Sequence, residues 1–510
     1  MTTQNLNILI VNPIFGFSHV KFLSTLADII AERGHNVTVL QPFHIAMSNL
    51  DGLIKNKNVK LINYYPDNFS ELEKNEEQTF KMAWDSKLMQ SPLLGAMFSS
   101  MVAKQFKNTV TKMLRDEQLH KELSACDFDA VLVETFEISG FYLAEILQVP
   151  AIAVLSAVRY PVFDELFGQA STLGHIPATG SQLPPKAGFF SRLNDVYNSF
   201  FLSIGQKSLN NAQYEVIKEA IGRKPTRWQD LVQKSPVYIV NSNPYLNFAV
   251  SRPGSVVQIG GITMLKEGKP KKMELPEEYE NILNERESTV FISFGSVVRA
   301  YEMPESYKKG LIKMFELLPN VTFIFKYEDE LEEDMNNRIP KNVYLKKWVP
   351  QPALLLDDRL NVFVTHGGLG STMEVAYSGK PALMVPLFAD QFENAQMLAR
   401  HGGAVDYNKF DLTNGKKMAT VLKEMISNPS YKKNAQQLQR VLLSQPISPK
   451  ENFIQHLEFA CKFPTWQGQT PSISRSGLIS YYYLDVILFF VATPLGLIGG
   501  FTYLMVKLFA

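Results

Sequence analysis

The chain has 510 residues, 45% hydrophobic and 20% charged, which is long enough for two packed domains and has the makeup of a globular protein. Lys+Arg number 51 against Asp+Glu 50, a formal charge of +1, which excludes the concentrated basic surface that a nucleic-acid partner demands. Two cysteines, Cys126 and Cys461, exclude a disulfide framework and leave either one bridge or two buried thiols.

Met1–Asn5 carries no positive charge and no apolar stretch precedes the first strand, so no secretory signal is read there; either the start is truncated or processed, or the chain is inserted by its tail. Leu6–Val11 reads as a buried strand, and Val20–Arg33 as a helix with Phe22, Leu23, Leu26, Ile29 and Ile30 on one face. Gly34 caps it, and Asn36–Leu40 is the next strand, completing a βαβ unit. Strands at Val59–Tyr64, Ala130–Val133, Ala151–Leu155 and Val237–Val240, with helical stretches between, predict a doubly wound parallel sheet over residues 1–250. The insertions 70–120 and 160–232, rich in Phe, Met and Leu, are the expected walls of an acceptor pocket. Residues 251–288 read as a linker, charged and Lys- and Pro-containing from Met264.

A second α/β unit, 289–449, has expected strands Thr289–Phe294, Val321–Tyr327, Val343–Lys346, Asn361–Thr365 and Ala382–Val385. The acidic run Glu328–Asp334 is a solvated face or loop without chemistry. Residues 450–480 lead to Val486–Val506, an uncharged stretch that reaches the roughly 20 residues a helix needs to cross a bilayer. Tyr481, Tyr482 and Tyr483 sit at one end as an interfacial belt and Lys507 at the other, predicting one C-terminal transmembrane anchor.

The run from Trp348 to Gln391 is the most informative. Asn361–Thr365 leads into His366-Gly367-Gly368-Leu369-Gly370-Ser371, after which Thr372–Tyr377 is helical. A glycine turn between strand and helix leaves backbone N–H groups at the positive end of the helix dipole, a seat for a pyrophosphate. Trp348 offers a face for a base, and Gln351 can donate to and accept from the edge of a pyrimidine. His366 can donate to a phosphate oxygen, Glu374 can accept from two ribose hydroxyls, and Asp390-Gln391 can hold sugar hydroxyls. Singly, each has an ordinary reading: Trp348 as a core aromatic, His366 as a helix cap, Glu374 as a solvated charge.

In this order and spacing, Trp348, Gln351, His366, Gly367, Gly368, Gly370, Ser371, Glu374, Pro386, Asp390 and Gln391 resemble the donor-binding signature of the UDP-glycosyltransferases, which include the animal UDP-glucuronosyltransferases. The invertebrate members are the most similar in HGGLGSTMEVAYSGKP. The resemblance implies a GT-B arrangement, two facing Rossmann-like domains, with 450–463 crossing back onto the first. It also implies UDP-glucuronate or UDP-glucose as co-substrate and no cofactor or metal.

A base is needed to take the acceptor proton, and Ser18-His19, on the turn after the first strand, fits both the mouth of an open sheet and the family's Ser-His. A carboxylate should fix its tautomer. The family places Asp after the strand that here ends in Val133, whereas this chain has Glu134, with Glu137 the less favoured substitute. His35 follows a helix cap and reads as structural. Phe294-Gly295-Ser296 offers a further donor contact, or only a tight turn. Asp127-Phe128-Asp129 spells a metal-dependent transferase motif but precedes a strand, and is a chance match.

The resulting expectation is an inverting, metal-independent transfer of a glucuronosyl or glucosyl group to a hydroxyl of a small lipophilic acceptor, a xenobiotic-conjugation chemistry. The enzyme would be a single-pass membrane protein of the endoplasmic reticulum, with the side of the membrane and a homo-oligomer left open. The alternatives are a catalytically silent binder of UDP-sugars or lipophiles, motivated by Glu134, and a related enzyme that isomerises or hydrolyses the UDP-sugar.

Overall fold

The computed structural model describes residues 5–47, 50–74, 82–85, 92–169, 174, 176–177, 183, 187–266, 269–270, 274–295, 298–329, 338–466, 478–481 and 483–509. Ser296 and the acidic run from Glu330 onward lie outside the described residues.

Two parallel sheets organise the chain. The first contains β1 (Asn7–Val11), β2 (Asn36–Pro42), β3 (Lys60–Tyr64), β4 (Ala130–Glu134), β5 (Ala151–Leu155), β6 (Tyr238–Val240) and β7 (Val256–Gln258), in the order β3-β2-β1-β4-β5-β6-β7. Ile8 pairs with Val37 on one side and Ala130 on the other. Both faces of β1 are covered, as a parallel sheet requires. Leu9 and Val11 join one apolar cluster with Val131 and Val133, and Ile8 and Ile10 another with Leu23, Leu26 and Ile30. The second sheet contains β8 (Ser288–Ser293), β9 (Val321–Lys326), β10 (Val343–Lys346), β11 (Leu360–Thr365), β12 (Ala382–Met384) and β13 (Ala404–Asp406), in the order β10-β9-β8-β11-β12-β13.

Seven helices matter below: α1 (Phe17–Glu32), α2 (Pro92–Arg115), α3 (Phe189–Ile221), α4 (Leu369–Ser378), α5 (Gln391–Ala399), α6 (Pro449–Lys462) and α7 (Leu484–Phe509). Helix α6 returns to the first sheet, where Phe453, Ile454 and Leu457 share the cluster of Ile8 and Ile10. Glu458 on α6 bonds Arg33 at 2.9 Å and His35 at 3.3 Å, giving His35 a structural position. Both thiols are free, and burial pushes that of Cys461 up to about 12.

The structure departs from expectation at three places. The 251–288 stretch is not all linker, because Val256–Gln258 forms β7 at the edge of the first sheet and Tyr279, Ile282 and Leu283 pack into a core of the second unit. Helix α4 begins at Leu369 instead of Thr372, so Gly370 and Ser371 occupy its first turn, where their N–H groups need no intrahelical acceptor. Segment Met82–Asp85, in an insertion expected to wall the acceptor, instead buries Trp84 among Phe294, Tyr307 and Leu311 of the second unit. Its indole N–H donates to Arg299 O at 3.0 Å. Trp84→Ala is expected to cost about 3–5 kcal/mol through the cavity it leaves, read as a lowered unfolding midpoint of the full chain.

Candidate active site

Each sheet reverses its strand order beside its own first strand, and open α/β sheets hold ligands at such reversals, outside the carboxyl ends of the strands. In the first sheet the reversal lies between β1 and β4. The chain leaving β1 turns through Phe15-Gly16 into α1, which sets His19 in its first turn, and Glu134, fully buried, closes β4 beside it. His19 Nδ1 lies 3.4 Å from Glu134 Oε2 and is also hydrogen-bonded to Oγ of Ser156, the residue after β5. An ionised carboxylate only accepts, so this pairing assigns the proton to Nδ1 and leaves Nε2 its lone pair.

The extra methylene of Glu134 therefore does not break contact with the imidazole. Glu137 is engaged elsewhere, accepting from Ser139 N and Ser139 Oγ at 2.8 Å each, with His44 Nε2 3.9 Å away. Burial pushes Glu137 up to about 7 and His44 down to about 3. Around His19 stands an aromatic wall: Phe15 at 4.6 Å and Phe136 at 5.3 Å, extended by Phe106 against Phe15 and Tyr160 against Phe136. The buried Tyr160 hydroxyl has no hydrogen-bond partner among the described residues. Asp127-Phe128-Asp129 lies at the opposite end of β4, where Asp129 accepts from Asn7 N at 2.8 Å.

In the second sheet the reversal lies between β8 and β11, which run into Phe294-Gly295 and His366-Gly367-Gly368. The glycines here are steric requirements. A Cβ on Gly295 would stand 2.6 Å from His366 Cε1, and one on Gly368 2.5 Å from His366 Nε2. Burial, then the charge of Lys326, holds His366 down to about 4, so the ring is neutral at cellular pH. A neutral ring contributes one N–H donor and no charge. Beside it α4 presents the amides of Leu369, Gly370 and Ser371, the first intrahelical bond being Thr372 N to Gly368 O at 2.9 Å.

Trp348 is 68% exposed, so its indole is no core aromatic. Gln351 Nε2 donates to Glu374 Oε2 at 2.6 Å and to Ser371 Oγ at 3.1 Å, joining the predicted base and ribose contacts into one polar strip. Asp390 follows Ala389, whose φ of 52° is in the left-handed region and turns the chain inward. Burial raises the Asp390 carboxyl, while the hydrogen bond that Asn394 donates to it at 3.0 Å opposes the rise. Gln391 is almost fully buried, and its Oε1 accepts from Leu387 N and Phe388 N, which leaves its NH₂ to donate.

Sequence reasoning missed Ser156 and Lys21. Nothing marks a serine at a strand end, and Lys21 reads as a solvated helix position. Its Nζ nevertheless lies 3.8 Å from Glu374 Oε1 on the facing unit.

The family model described as UDP-glucoronosyl and UDP-glucosyl transferase matches residues 7–509. The chain belongs to the UDP-glycosyltransferase family. It is 24% identical to the UDP-glycosyltransferase UGT4 of Dactylopius coccus over 95% of this chain and 91% of that one. It is 27% identical to the UDP-glucuronosyltransferase 3A1 of Bos taurus over 94% and 89%. Among solved structures it resembles LpCGTa in complex with UDP, with a TM-score of 0.59 and 16% identity over 90% of this chain and 100% of that one. Phytolacca americana UGT2 complexed with UDP-2fluoro-glucose and pterostilbene gives the same TM-score, identity and coverage. The fold is GT-B, and the protein is a glycosyltransferase that takes its sugar from a UDP-sugar. Helix α7 is long and apolar enough to cross a membrane and has no buried residue.

Burial raises the Glu374 carboxyl and Lys21 lowers it. The carboxylate expected to receive a ribose is thus lost as pH falls toward this raised value. UDP affinity in the UDP-glycosyltransferase is expected to weaken toward acid. Lys21→Ala should move that acid limb to higher pH, which titration calorimetry with UDP across the pH range would show.

Proposed function

We propose that the chain transfers a glucuronosyl or glucosyl group from its UDP-sugar, with inversion and without a metal or cofactor, to a hydroxyl of a small lipophilic acceptor. The observation that carries the reading is the opposition of the two strand reversals, His19 with Glu134 on one and the His366–Ser371 cradle on the other, with Lys21 of α1 3.8 Å from Glu374 of α4.

The donor's uracil lies on Trp348 and Gln351, its ribose on Glu374, its diphosphate on the α4 amides, and its sugar hydroxyls on Asp390 and Gln391. The acceptor hydroxyl lies against the Phe15–Phe136 wall, beside His19. His19 Nε2 takes the acceptor proton as the acceptor oxygen forms its bond to the anomeric carbon. The bond from that carbon to the β-phosphate oxygen breaks on the opposite face, and UDP leaves with the electron pair. Attack opposite the leaving group turns an α-linked donor into a β-glycoside. The imidazolium is held by Glu134, and the charge that grows on the β-phosphate meets preorganised N–H donors, a form of stabilisation that requires no ion. Lipophilic acceptors are favoured by the aromatic wall, and α7 would hold the enzyme, proposed for the endoplasmic reticulum, where such compounds partition.

The test is UDP release from UDP-glucuronate and from UDP-glucose by membranes carrying the full chain, with and without a simple phenol. Acceptor-dependent release from one donor, unaffected by a chelator and yielding a β-glycoside by NMR, is the expected outcome. His19→Ala should lower turnover by about 10²–10⁴-fold with UDP affinity retained. UDP bound without release from either donor would overturn transfer in favour of the silent binder.

Glu134→Gln keeps the shape but loses the charge opposite Nδ1. Its expected effect is a fall in kcat of at least about tenfold, with KM for the donor unchanged, measured by initial rates.

A further inference from the structure

Lys409 is a buried cation with partners in both units. It lies just beyond β13, is 1% exposed, and its Nζ donates to Ala83 O at 2.7 Å and to Leu387 O at 3.1 Å. Ala83 lies in the first unit's insertion, between β3 and α2, and Leu387 follows β12 of the second unit. An ammonium taken out of water is costly unless its protons are bonded, and an apolar side chain of similar volume avoids that cost. What the ammonium supplies, and an apolar chain does not, is a fixed distance between two carbonyls on different units.

Each carbonyl leads to a different part of the assembly. Ala83 is held on the second unit by its neighbour Trp84, whose fully buried ring lies 5.0 Å from that of Phe294 and 6.3 Å from that of Tyr307. The Ala83 carbonyl is therefore a rigid support, because a close-packed core does not deform easily around a seated ring. Leu387 opens the loop that carries Asp390 and Gln391. Its N–H donates to Gln391 Oε1 at 2.8 Å, and that of Phe388 donates to the same atom at 3.2 Å. Leu387 is thus fixed at both of its backbone polar groups, the N–H by Gln391 and the carbonyl by Lys409.

We propose, on the reading that Asp390 and Gln391 receive the sugar hydroxyls, that Lys409 is a positioning residue for the donor's sugar, holding the Leu387–Gln391 loop against Ala83 of the first unit. It acts through Leu387, whose N–H occupies Gln391 Oε1 and leaves the Gln391 NH₂ as the group that donates. The insertion of the first unit is in this way a support of the sugar site in the second. None of these contacts involves Trp348, Gln351 or Glu374, where the uracil and ribose are expected, so the effect of Lys409 falls on the sugar and spares the nucleotide.

The experiment compares the purified full chain with Lys409→Met by titration calorimetry without acceptor, using UDP, UDP-glucuronate and UDP-glucose. Methionine fills the space of the lysine stem and removes both hydrogen bonds. The expected result is that the tighter of the two UDP-sugars weakens by about fivefold or more, the worth of one hydrogen bond, while Kd for UDP changes by less than about twofold. Lys409→Gln, whose shorter amide cannot bridge both carbonyls, should show the same split and serves if the methionine variant does not fold. Equal weakening of UDP and UDP-sugar, no weakening of either, or failure of both variants to fold overturns the proposal and leaves Lys409 a structural residue. Gln391→Ala tests the underlying reading separately. If that variant leaves the affinity of UDP-sugar relative to UDP unchanged, the sugar assignment fails and the role of Lys409 with it. If it lowers that ratio and Lys409→Met does not, the sugar assignment stands and only the role of Lys409 fails.

Discussion

One buried ion pair connects the two halves of the site. Arg159 and Glu393 lie 3.2 Å apart, and both are largely out of water. Arg159 is three residues beyond Ser156, which touches His19, and Glu393 is three residues beyond Asp390 at the start of α5. Such a pair adds little net stability, because desolvation offsets its attraction. Its value here is geometric. It fixes the distance between the loop after β5 and the loop that leads into α5, and on the proposed reading the transfer depends steeply on that distance. Arg400, donating to Leu246 O and Asn247 O, and Tyr377 OH, donating to Gly260 O, hold the same interface further from the chemistry.

Much of this was legible because a parallel sheet buried on both faces needs continuous apolar strands, and Ile8–Val11, Val131–Val133 and Val362–Val364 supply them. The turn at His366-Gly367-Gly368 was legible for a different reason. His366-Gly367-Gly368 is a constraint on contact, with the imidazole seated against two residues that tolerate no Cβ, and such constraints leave a mark at fixed spacing. The strands β7 and β13 were not legible, since three residues such as Val-Val-Gln carry no periodicity and form only because an existing edge pairs with them. Trp84 falls in the insertion expected to wall the acceptor, because composition locates apolar residues without saying which core receives them.

Ser156 and Lys21 escaped for a shared reason, that their significance arises from residues far along the chain. Ser156 meets His19 over a separation of 137 residues, and Lys21 meets Glu374 across the cleft. Glu134 is the intermediate case. Its position after β4 was readable, but whether a longer carboxylate keeps contact with His19 depended on the course of the backbone, and the 3.4 Å separation shows that contact is kept.

The distribution of charge around the donor site has a consequence for catalysis. On the proposed reading the phosphate seat within the signature itself is neutral, because His366 is held near 4 and the remaining donors are amides. Positive charge comes from outside it: Lys326 lies on β9, with its Nζ on Gly295 O at 2.6 Å, and Lys21 comes from the other unit. A neutral, preorganised cradle stabilises developing charge without reorganising. It also does not hold the UDP product as strongly as a fixed cluster of cations would. Lys21 is engaged with Glu374 while the ribose site is free, and a bound ribose competes for that carboxylate. On the proposed reading, donor binding therefore releases a mobile ammonium in the cleft two residues from the base, so the charge that accompanies the donor is delivered by the unit that binds the acceptor.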